Sequence, residues 1–224
     1  MSVRVQPRQL AFALPHAESL SRDDFLEGTA NAEALALIDS WPDWPNRVML
    51  LAGPEGAGKS HLAAIWAEEA GARSTMAHAL TAATVPGALA TGAVVVEDLT
   101  PDSFDERALF HLLNLARQEE AALLITARES SAGFGIGLND LASRLRVLPV
   151  VHIAAPDDAL LRAVIVKQFS DRQLAVDESL IAYLLTRIER SFAAMRAAVE
   201  RLDREALRQQ RPVTRALAGE LFRG

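Results

Sequence analysis

Residues 53–60 have the residue types and the spacing of a phosphate-binding loop. They read Gly53-Pro54-Glu55-Gly56-Ala57-Gly58-Lys59-Ser60, a full match to G-x-x-x-x-G-K-[ST]. The glycines allow the backbone to wind tightly, so that successive N–H groups face one anion. We expect the Lys59 ammonium to reach the β- and γ-phosphates and the Ser60 hydroxyl to occupy one site on Mg²⁺. The motif therefore indicates a nucleotide ligand with its magnesium ion.

The segments on both sides of this loop support the interpretation. Val48–Ala52 is a short apolar run, typical of a buried parallel strand. Residues 61–70 have a helical pattern, and Gly71 is suited to end the helix. Strand, loop and helix is the order that the motif requires, and the helix N-terminus adds a partial positive charge for the phosphate. We include His61, the first residue of this pattern, among the candidate nucleotide-binding residues.

Two acidic residues end a strong apolar run over residues 91–98. Glu97 and Asp98 follow Val94-Val95-Val96, and carboxylates at this end of a strand can hold Mg²⁺ and the attacking water. We expect Glu97, with Ser60, at the metal and Asp98 at the water, on opposite faces of the strand. Proteins with this pattern mostly have Asp before Glu, so efficient hydrolysis is left open. An ordinary acidic strand end is the alternative.

The wider pattern predicts an α/β domain followed by a helical one. Apolar strand-like runs alternate with helical patterns up to residue 155, which favours a parallel sheet covered by helices. From Pro156 onward we expect helices over Asp157–Arg172, Glu178–Arg187 and Phe192–Gln209. The expected division is a tail of residues 1–16, an α/β domain of residues 17–155 and a helical domain of residues 156–224. Thr126 ends one of the apolar runs, where a polar side chain could position the terminal phosphate or the water.

The composition of the sequence excludes several kinds of site and several classes of protein. The 224 residues include no cysteine, which excludes disulfides and thiolate metal sites. No apolar run approaches the roughly 20 residues that span a membrane, and residues 1–8 lack the apolar stretch of a secretory signal. We therefore expect a cytoplasmic protein without a membrane partner. The net charge of −6 argues against a dedicated nucleic-acid surface.

Taken together, these features resemble an AAA+ ATPase: a P-loop NTPase core with a parallel sheet, followed by a helical lid. The segments GPEGAGKSHLA at Gly53–Ala63 and FLEGTANAEAL at Phe25–Leu35 resemble the DnaA initiator family. In that family the second segment packs near the adenine. The resemblance covers essentially the whole chain.

The same resemblance assigns three further residues. LASRL at Leu141–Leu145 is similar to the family's box with the arginine finger, which implies that role for Arg144. FAAMRAAVERLD at Phe192–Asp203 resembles the sensor-2 helix and implies that Arg196 contacts the nucleotide, while Thr126 falls at sensor 1. From the residues alone, an ordinary surface arginine remains the alternative for Arg144.

The two ends of the sequence direct the resemblance to Hda-like regulators. The sequence ends at Gly224, where DnaA proteins continue into a helix-turn-helix domain that binds origin DNA. Hda-like proteins carry an N-terminal motif for the sliding clamp, Q-L-x-L-x-L, and residues 9–14 read QLAFAL. Glutamine suits the polar rim of a cleft and large apolar side chains suit its interior. The candidate clamp-binding residues are Gln9, Leu10, Phe12 and Leu14.

The resemblance implies a regulator that stimulates hydrolysis of DnaA-bound ATP. It would bind ADP or ATP with Mg²⁺, dock on the sliding clamp, reach DNA only through the clamp and supply Arg144 to the partner's nucleotide. Whether it acts on DnaA or on a second copy of itself, as a homo-oligomer, is left open. Two alternatives also stay open: an autonomous AAA+ ATPase or loader with Glu97 and Asp98 as its catalytic acids, and a DNA-associated adaptor with an arginine-rich lid.

Overall fold

A five-stranded parallel sheet forms the centre of the molecule. The computed structural model describes residues 20–101, 103–129 and 134–222. The strand order is β2-β3-β4-β1-β5, and all of the pairings are parallel. The strands are β1 (Val48–Ala52), β2 (Arg73–Met76), β3 (Ala93–Leu99), β4 (Ala122–Ala127) and β5 (Val150–His152). The predicted parallel α/β fold is confirmed.

Helices cover the sheet and then form a separate bundle. The helices that accompany the sheet are α1 (Ala32–Asp39), α2 (Lys59–Ala70), α3 (Val85–Ala88), α4 (Glu106–Gln118) and α5 (Asn139–Arg146). The bundle consists of α6 (Asp158–Asp171), α7 (Glu178–Arg187), α8 (Phe192–Gln209) and α9 (Arg215–Leu221). Short 3₁₀ turns occupy Arg22–Asp24 and Ala77–Ala79. The three helices predicted after Pro156 are confirmed within one residue, whereas the exact domain boundaries stay predictions.

The two faces of the sheet bury different helices. On one face Val95 and Leu124 pack in a core with Leu62 and Trp66 of α2. On the other face the core joins strand residues to α4 and α5, and its members include Val94, Ile125, Leu109 and Leu141. Each fully buried aliphatic side chain stabilises the fold by about 1.5–3 kcal/mol relative to an exposed one. The helix that follows the phosphate-binding loop is therefore separated from α5 by the sheet.

The helical bundle has its own core and regular helix starts. Its buried residues include Leu161, Phe169, Leu184, Val199 and Leu217. Four residues immediately before these helices use their side-chain oxygens to accept a hydrogen bond from the N–H three residues later, namely Asp157, Asp177, Ser191 and Thr214. Such caps satisfy N–H groups that have no partner within the helix. In the described part of the chain, no helix is both long and apolar enough to cross a membrane.

The segment before α1 ties the bundle to the α/β domain. Lys167 on α6 donates to the carboxylate of Asp24 at 2.6 Å, and the Thr29 hydroxyl donates to Asp157 at 3.0 Å. At Gly28, a β-carbon would lie only 2.9 Å from the Leu160 side chain, so the backbone approaches α6 closely. These contacts set the position of the bundle relative to the carboxyl ends of the strands, where ligands bind in open α/β sheets.

Candidate phosphate-binding site

The loop after β1 has the backbone conformation of an anion-binding turn. Gly56 and Gly58 have φ angles of 70° and 99°, in the left-handed region that side chains with a β-carbon rarely adopt. Gly58 directly precedes α2, which begins at Lys59. The amino-terminal N–H groups of α2 have no partner within the helix and lie beside this turn. The predicted strand, loop and helix context is therefore present.

The Lys59 ammonium folds back over the loop. It donates to the carbonyl oxygens of Gly53 and Pro54 at 2.7 and 2.8 Å. Burial lowers the pKa of Lys59, whereas the nearby charge of Asp98 raises it, Arg128 lowers it and Glu55 raises it. The ammonium thus interacts electrostatically with the carboxylates of Asp98 and Glu55 and with the guanidinium of Arg128. This cluster of charges surrounds the position expected for the outer phosphates.

The acidic end of β3 differs from a regular strand. The pairing of β3 with β4 shifts register between Val96 and Leu99, and Asp98 has a φ of 56°. A bulge of this kind breaks the alternation of side chains, so the expectation of simply opposite faces for Glu97 and Asp98 does not apply. The Asp98 N–H donates to the Thr126 hydroxyl at 3.0 Å, and Thr126 is 2% exposed. The ends of β3 and β4 are joined by this hydrogen bond.

Arg128 lies at the site although no sequence motif indicated it. Its Nη1 lies 2.9 Å from Oε2 of Glu55 in the loop, and its Nε lies 3.9 Å from Oδ1 of Asp98. The available signal was its position just beyond β4, two residues after Thr126. The signal indicates a site residue only when the strand order is known, because that order puts β4 between β1 and β3.

The lid contacts the loop at the start of α8. The Phe192 N–H donates to the Gly56 carbonyl oxygen at 2.9 Å, and a β-carbon on Gly56 would lie 2.7 Å from Cβ of Ser191. Arg196 lies one turn further along α8 and is half-buried. Its predicted role in nucleotide contact stays a prediction, and α8 is the element that would bring it to the site.

Other candidate residues lie elsewhere. Arg144 is on α5, on the opposite sheet face from α2, and its guanidinium carbon lies 5.0 Å from the centre of the Phe110 ring. His61 Nε2 lies 2.9 Å from the Ser21 carbonyl oxygen, and its ring packs edge-on against Phe25. His61 thus holds the segment before α1 against α2. The clamp-motif residues, Gln9, Leu10, Phe12 and Leu14, lie outside the described residues.

The predicted magnesium ligands are Ser60, which is exposed, and Glu97, which is half-buried. Hydroxyl and carboxylate oxygens are ligands that Mg²⁺ accepts, and the ion usually keeps waters and phosphate oxygens as its remaining ligands. Among the residues that the structure describes, no group of three or more His, Asp or Glu side chains forms a cluster able to hold a metal. Ser60 and Glu97 would supply two oxygen ligands, and a nucleotide would supply phosphate oxygens as further ligands.

Known proteins share part of this sequence and its fold. Residues 158–218 match the family model described as "Hda, lid domain". Domain III of the replication initiation protein DnaA from Thermotoga maritima has the same fold, with a TM-score of 0.73 and 15% identity over 90% of this chain and 95% of that one. The chain resembles Hda in its lid and DnaA in its fold. The predicted AAA+ fold with a helical lid is thereby confirmed.

Two further solved structures share the fold of this chain. AMPPCP-bound DnaA from Aquifex aeolicus has a TM-score of 0.65 and 16% identity, over 84% of this chain and 68% of that one. The Holliday junction branch migration motor RuvB of Thermotoga maritima has a TM-score of 0.71 and 16% identity, over 90% and 70%. A search of curated proteins gives no match. At these identities the structures establish the fold, and the lid match directs the family resemblance to Hda.

Proposed function

We propose that this protein is a nucleotide-dependent regulator of replication initiation that stimulates hydrolysis of ATP bound to DnaA. The observation that carries the proposal is the match of residues 158–218 to the Hda lid, joined to a domain with the DnaA fold. In this proposal the protein binds ADP or ATP, docks on the DNA-loaded sliding clamp and presents Arg144 to the nucleotide of DnaA. It reaches DNA only through the clamp.

Nucleotide binding is supported by the loop and by the relatives. Gly53–Ser60 and the amino-terminal end of α2 supply N–H donors for the phosphates, and Lys59 supplies a cation. The related DnaA structure from Aquifex aeolicus contains AMPPCP, a nucleotide analogue. Ser60 and Glu97 would hold Mg²⁺, which would neutralise charge on the phosphates. The lid would close over the nucleotide at Gly56 and bring Arg196 toward it.

The position of Arg144 supports action on a partner's nucleotide. The residue is half-buried on α5 and lies across the sheet from the helix that follows its own phosphate-binding loop. An arginine that neutralises charge on a transferring phosphoryl group accelerates hydrolysis by about 10³ to 10⁵. Arg144 would supply that charge to ATP on DnaA, while the protein's own nucleotide stays at the other face.

The deciding experiment measures ATP hydrolysis by purified DnaA with and without this protein and the DNA-loaded clamp. The proposal expects stimulation only when all of the components are present. The matched controls omit the clamp or replace the loaded clamp by free clamp. Turnover that stays at the level of DnaA alone would contradict the proposal.

Clamp docking through residues 9–14 has its own test. Replacing Gln9 and Leu10 together with alanine should abolish capture of the protein by immobilised, DNA-loaded clamp. The control replaces Val5 and Gln6 with alanine, which removes the same two kinds of side chain outside the motif. Normal capture of the Gln9 and Leu10 variant would refute the assignment of this segment.

An autonomous ATPase is a second candidate, favoured by the charge of Asp98 beside Lys59 and by the hydrogen bond from Asp98 to Thr126. This candidate expects steady-state ATP turnover by the protein alone, lost in Glu97→Gln and Asp98→Asn but kept in the exposed Glu119→Gln. Turnover at the level of a buffer blank would remove it. Turnover that survives both substitutions would show that other residues, or a contaminating enzyme, hydrolyse the ATP.

A further inference from the structure

The backbone of Arg128 lies directly beside the first residue of the phosphate-binding loop. The N–H of Gly53 donates to the carbonyl oxygen of Ala127 at 3.1 Å, which fixes the loop against the end of β4. Arg128 is the next residue, so its backbone cannot move away from the loop without breaking this contact. A side chain at this position is anchored at the site and can reorient only through its own flexible stem.

The Arg128 guanidinium bridges two acidic groups on opposite sides of the site. Nη1 lies 2.9 Å from Glu55 of the loop, and Nε lies 3.9 Å from Asp98 at the end of β3. The side chains of Arg128, Glu55 and Asp98 are 54%, 75% and 50% exposed. Ion pairs with this exposure typically contribute about 0–1 kcal/mol. Either carboxylate can therefore be exchanged for a stronger anion.

The balance of charge favours a second protein cation at this position. With Glu97 engaged by Mg²⁺, a terminal phosphate held between Lys59 and the end of β3 would still meet the carboxylates of Glu55 and Asp98. Lys59 is a single point charge that also serves the inner phosphates. Arg128 offers a planar fork of N–H groups, whose geometry matches two phosphate oxygens at once. Its charge already acts on the same ammonium, because it lowers the pKa of Lys59.

We propose that Arg128 contacts the terminal phosphate of ATP, leaving Glu55 for it, and that this contact makes the protein distinguish ATP from ADP. The inference rests on the proposed function, in which the protein binds a nucleotide. It adds a residue that recognises the terminal phosphate of ATP. ADP ends one phosphate earlier and leaves the ion pair of Arg128 with Glu55 in place. The residue is thus a specificity determinant rather than a general phosphate contact.

The experiment is a calorimetric titration of the full chain with Mg·ADP and with Mg·AMPPCP, which keeps three phosphates and avoids turnover. In Arg128→Ala the affinity for AMPPCP should fall by about tenfold or more, as expected for a lost charged hydrogen bond. The affinity for ADP should stay within about twofold, since ADP does not reach the residue. Arg128→Lys should recover part of the AMPPCP affinity because it keeps the charge and loses the fork.

Two controls separate this role from a structural one. Arg162→Ala removes another arginine of similar exposure that is paired with a glutamate, Glu178 on the lid, and should leave both affinities unchanged. Glu55→Gln removes the competing carboxylate and should strengthen AMPPCP binding more in the parent chain than in Arg128→Ala. This double-mutant cycle isolates the exchange of Glu55 for phosphate.

The outcomes distinguish the inference from the proposed function. Equal losses of ADP and AMPPCP affinity in Arg128→Ala would overturn the inference, and so would an unchanged ratio of the two affinities. The nucleotide-binding regulator would survive either result. A parent chain that binds neither nucleotide would overturn the proposed function and, with it, the role of Arg128.

Discussion

Arg128 and Arg144 are 16 positions apart in the sequence but occupy opposite environments. Arg128 lies at the edge of the protein's own phosphate-binding loop, between the carboxylates of Glu55 and Asp98. Arg144 lies on the other face of the sheet, against the ring of Phe110. Carboxylate partners compete with a phosphate for the same N–H groups. An aromatic partner occupies only the flat face of the guanidinium and leaves its N–H edge available for an anion.

This difference indicates that the two arginines have different roles. The ion pairs keep Arg128 neutralised until an anion with more charge enters its own site. The ring of Phe110 contacts the Arg144 guanidinium, and this contact would lower the entropy lost if Arg144 engages a partner's nucleotide, as proposed. We therefore expect Arg128 to respond to the protein's own nucleotide and Arg144 to act on another protein.

The largest effect is expected from Arg144→Ala. Stimulation of DnaA-bound ATP hydrolysis should fall by about 10³ or more, because the transferring phosphoryl group loses its neutralising charge. The protein's own affinity for ADP should not change, since Arg144 lies across the sheet from α2. Arg146→Ala, an exposed arginine on the same helix, is the control. Full stimulation by the Arg144 variant would remove the proposed role of Arg144 and would leave that of Arg128 unchanged.

A loss of the protein's own nucleotide binding is expected from Lys59→Ala. Affinity for both ADP and AMPPCP should fall by about tenfold or more, because a charged hydrogen-bond donor to the phosphates is lost. The measurement is the same calorimetric titration, with exposed Arg117→Ala on α4 as control. Unchanged binding in the Lys59 variant would mean that the loop is not the nucleotide site, and the contrast between the two arginines would lose its basis.

A smaller effect is expected where Arg144 contacts Phe110. A cation–π contact at an exposed site contributes about 0.5–1 kcal/mol, so Phe110→Leu should reduce stimulation of DnaA by about two- to fivefold. Phe110→Tyr keeps the ring and should retain stimulation near the parent value. If both variants behave like the parent protein, the ring does not orient Arg144.

The smallest effect is a shift in the pH dependence of nucleotide binding. Burial lowers the pKa of Lys59, so phosphate affinity should be complete below this lowered pKa and should decline as pH rises through it. Arg128 adds to the lowering, so Arg128→Ala should move the decline to higher pH, whereas Arg144→Ala should not move it. Titrations with ADP at several alkaline pH values measure the shift. An equal shift in both variants would contradict the assignment of Arg128 to the Lys59 site.

The sequence by itself determined the features that depend on neighbouring residues. The phosphate-binding loop could be recognised because glycines, a lysine and a serine act within eight consecutive positions. Three of the lid helices could be placed within one residue because apolar periodicity is a local signal. The order of these segments also sufficed for the family resemblance.

The tertiary structure alone decided which distant side chains share the site. Arg128 meets Glu55 because β4 pairs with β1, a choice made by packing among several strands rather than by either segment. The bulge at Asp98 arises in the pairing of β3 with β4, and no local pattern required it. The side of the sheet that α5 covers likewise comes from packing, and it separates Arg144 from the loop. Local hydrogen-bonding and steric preferences are set by neighbouring residues, whereas strand order and packing depend on all of the segments together.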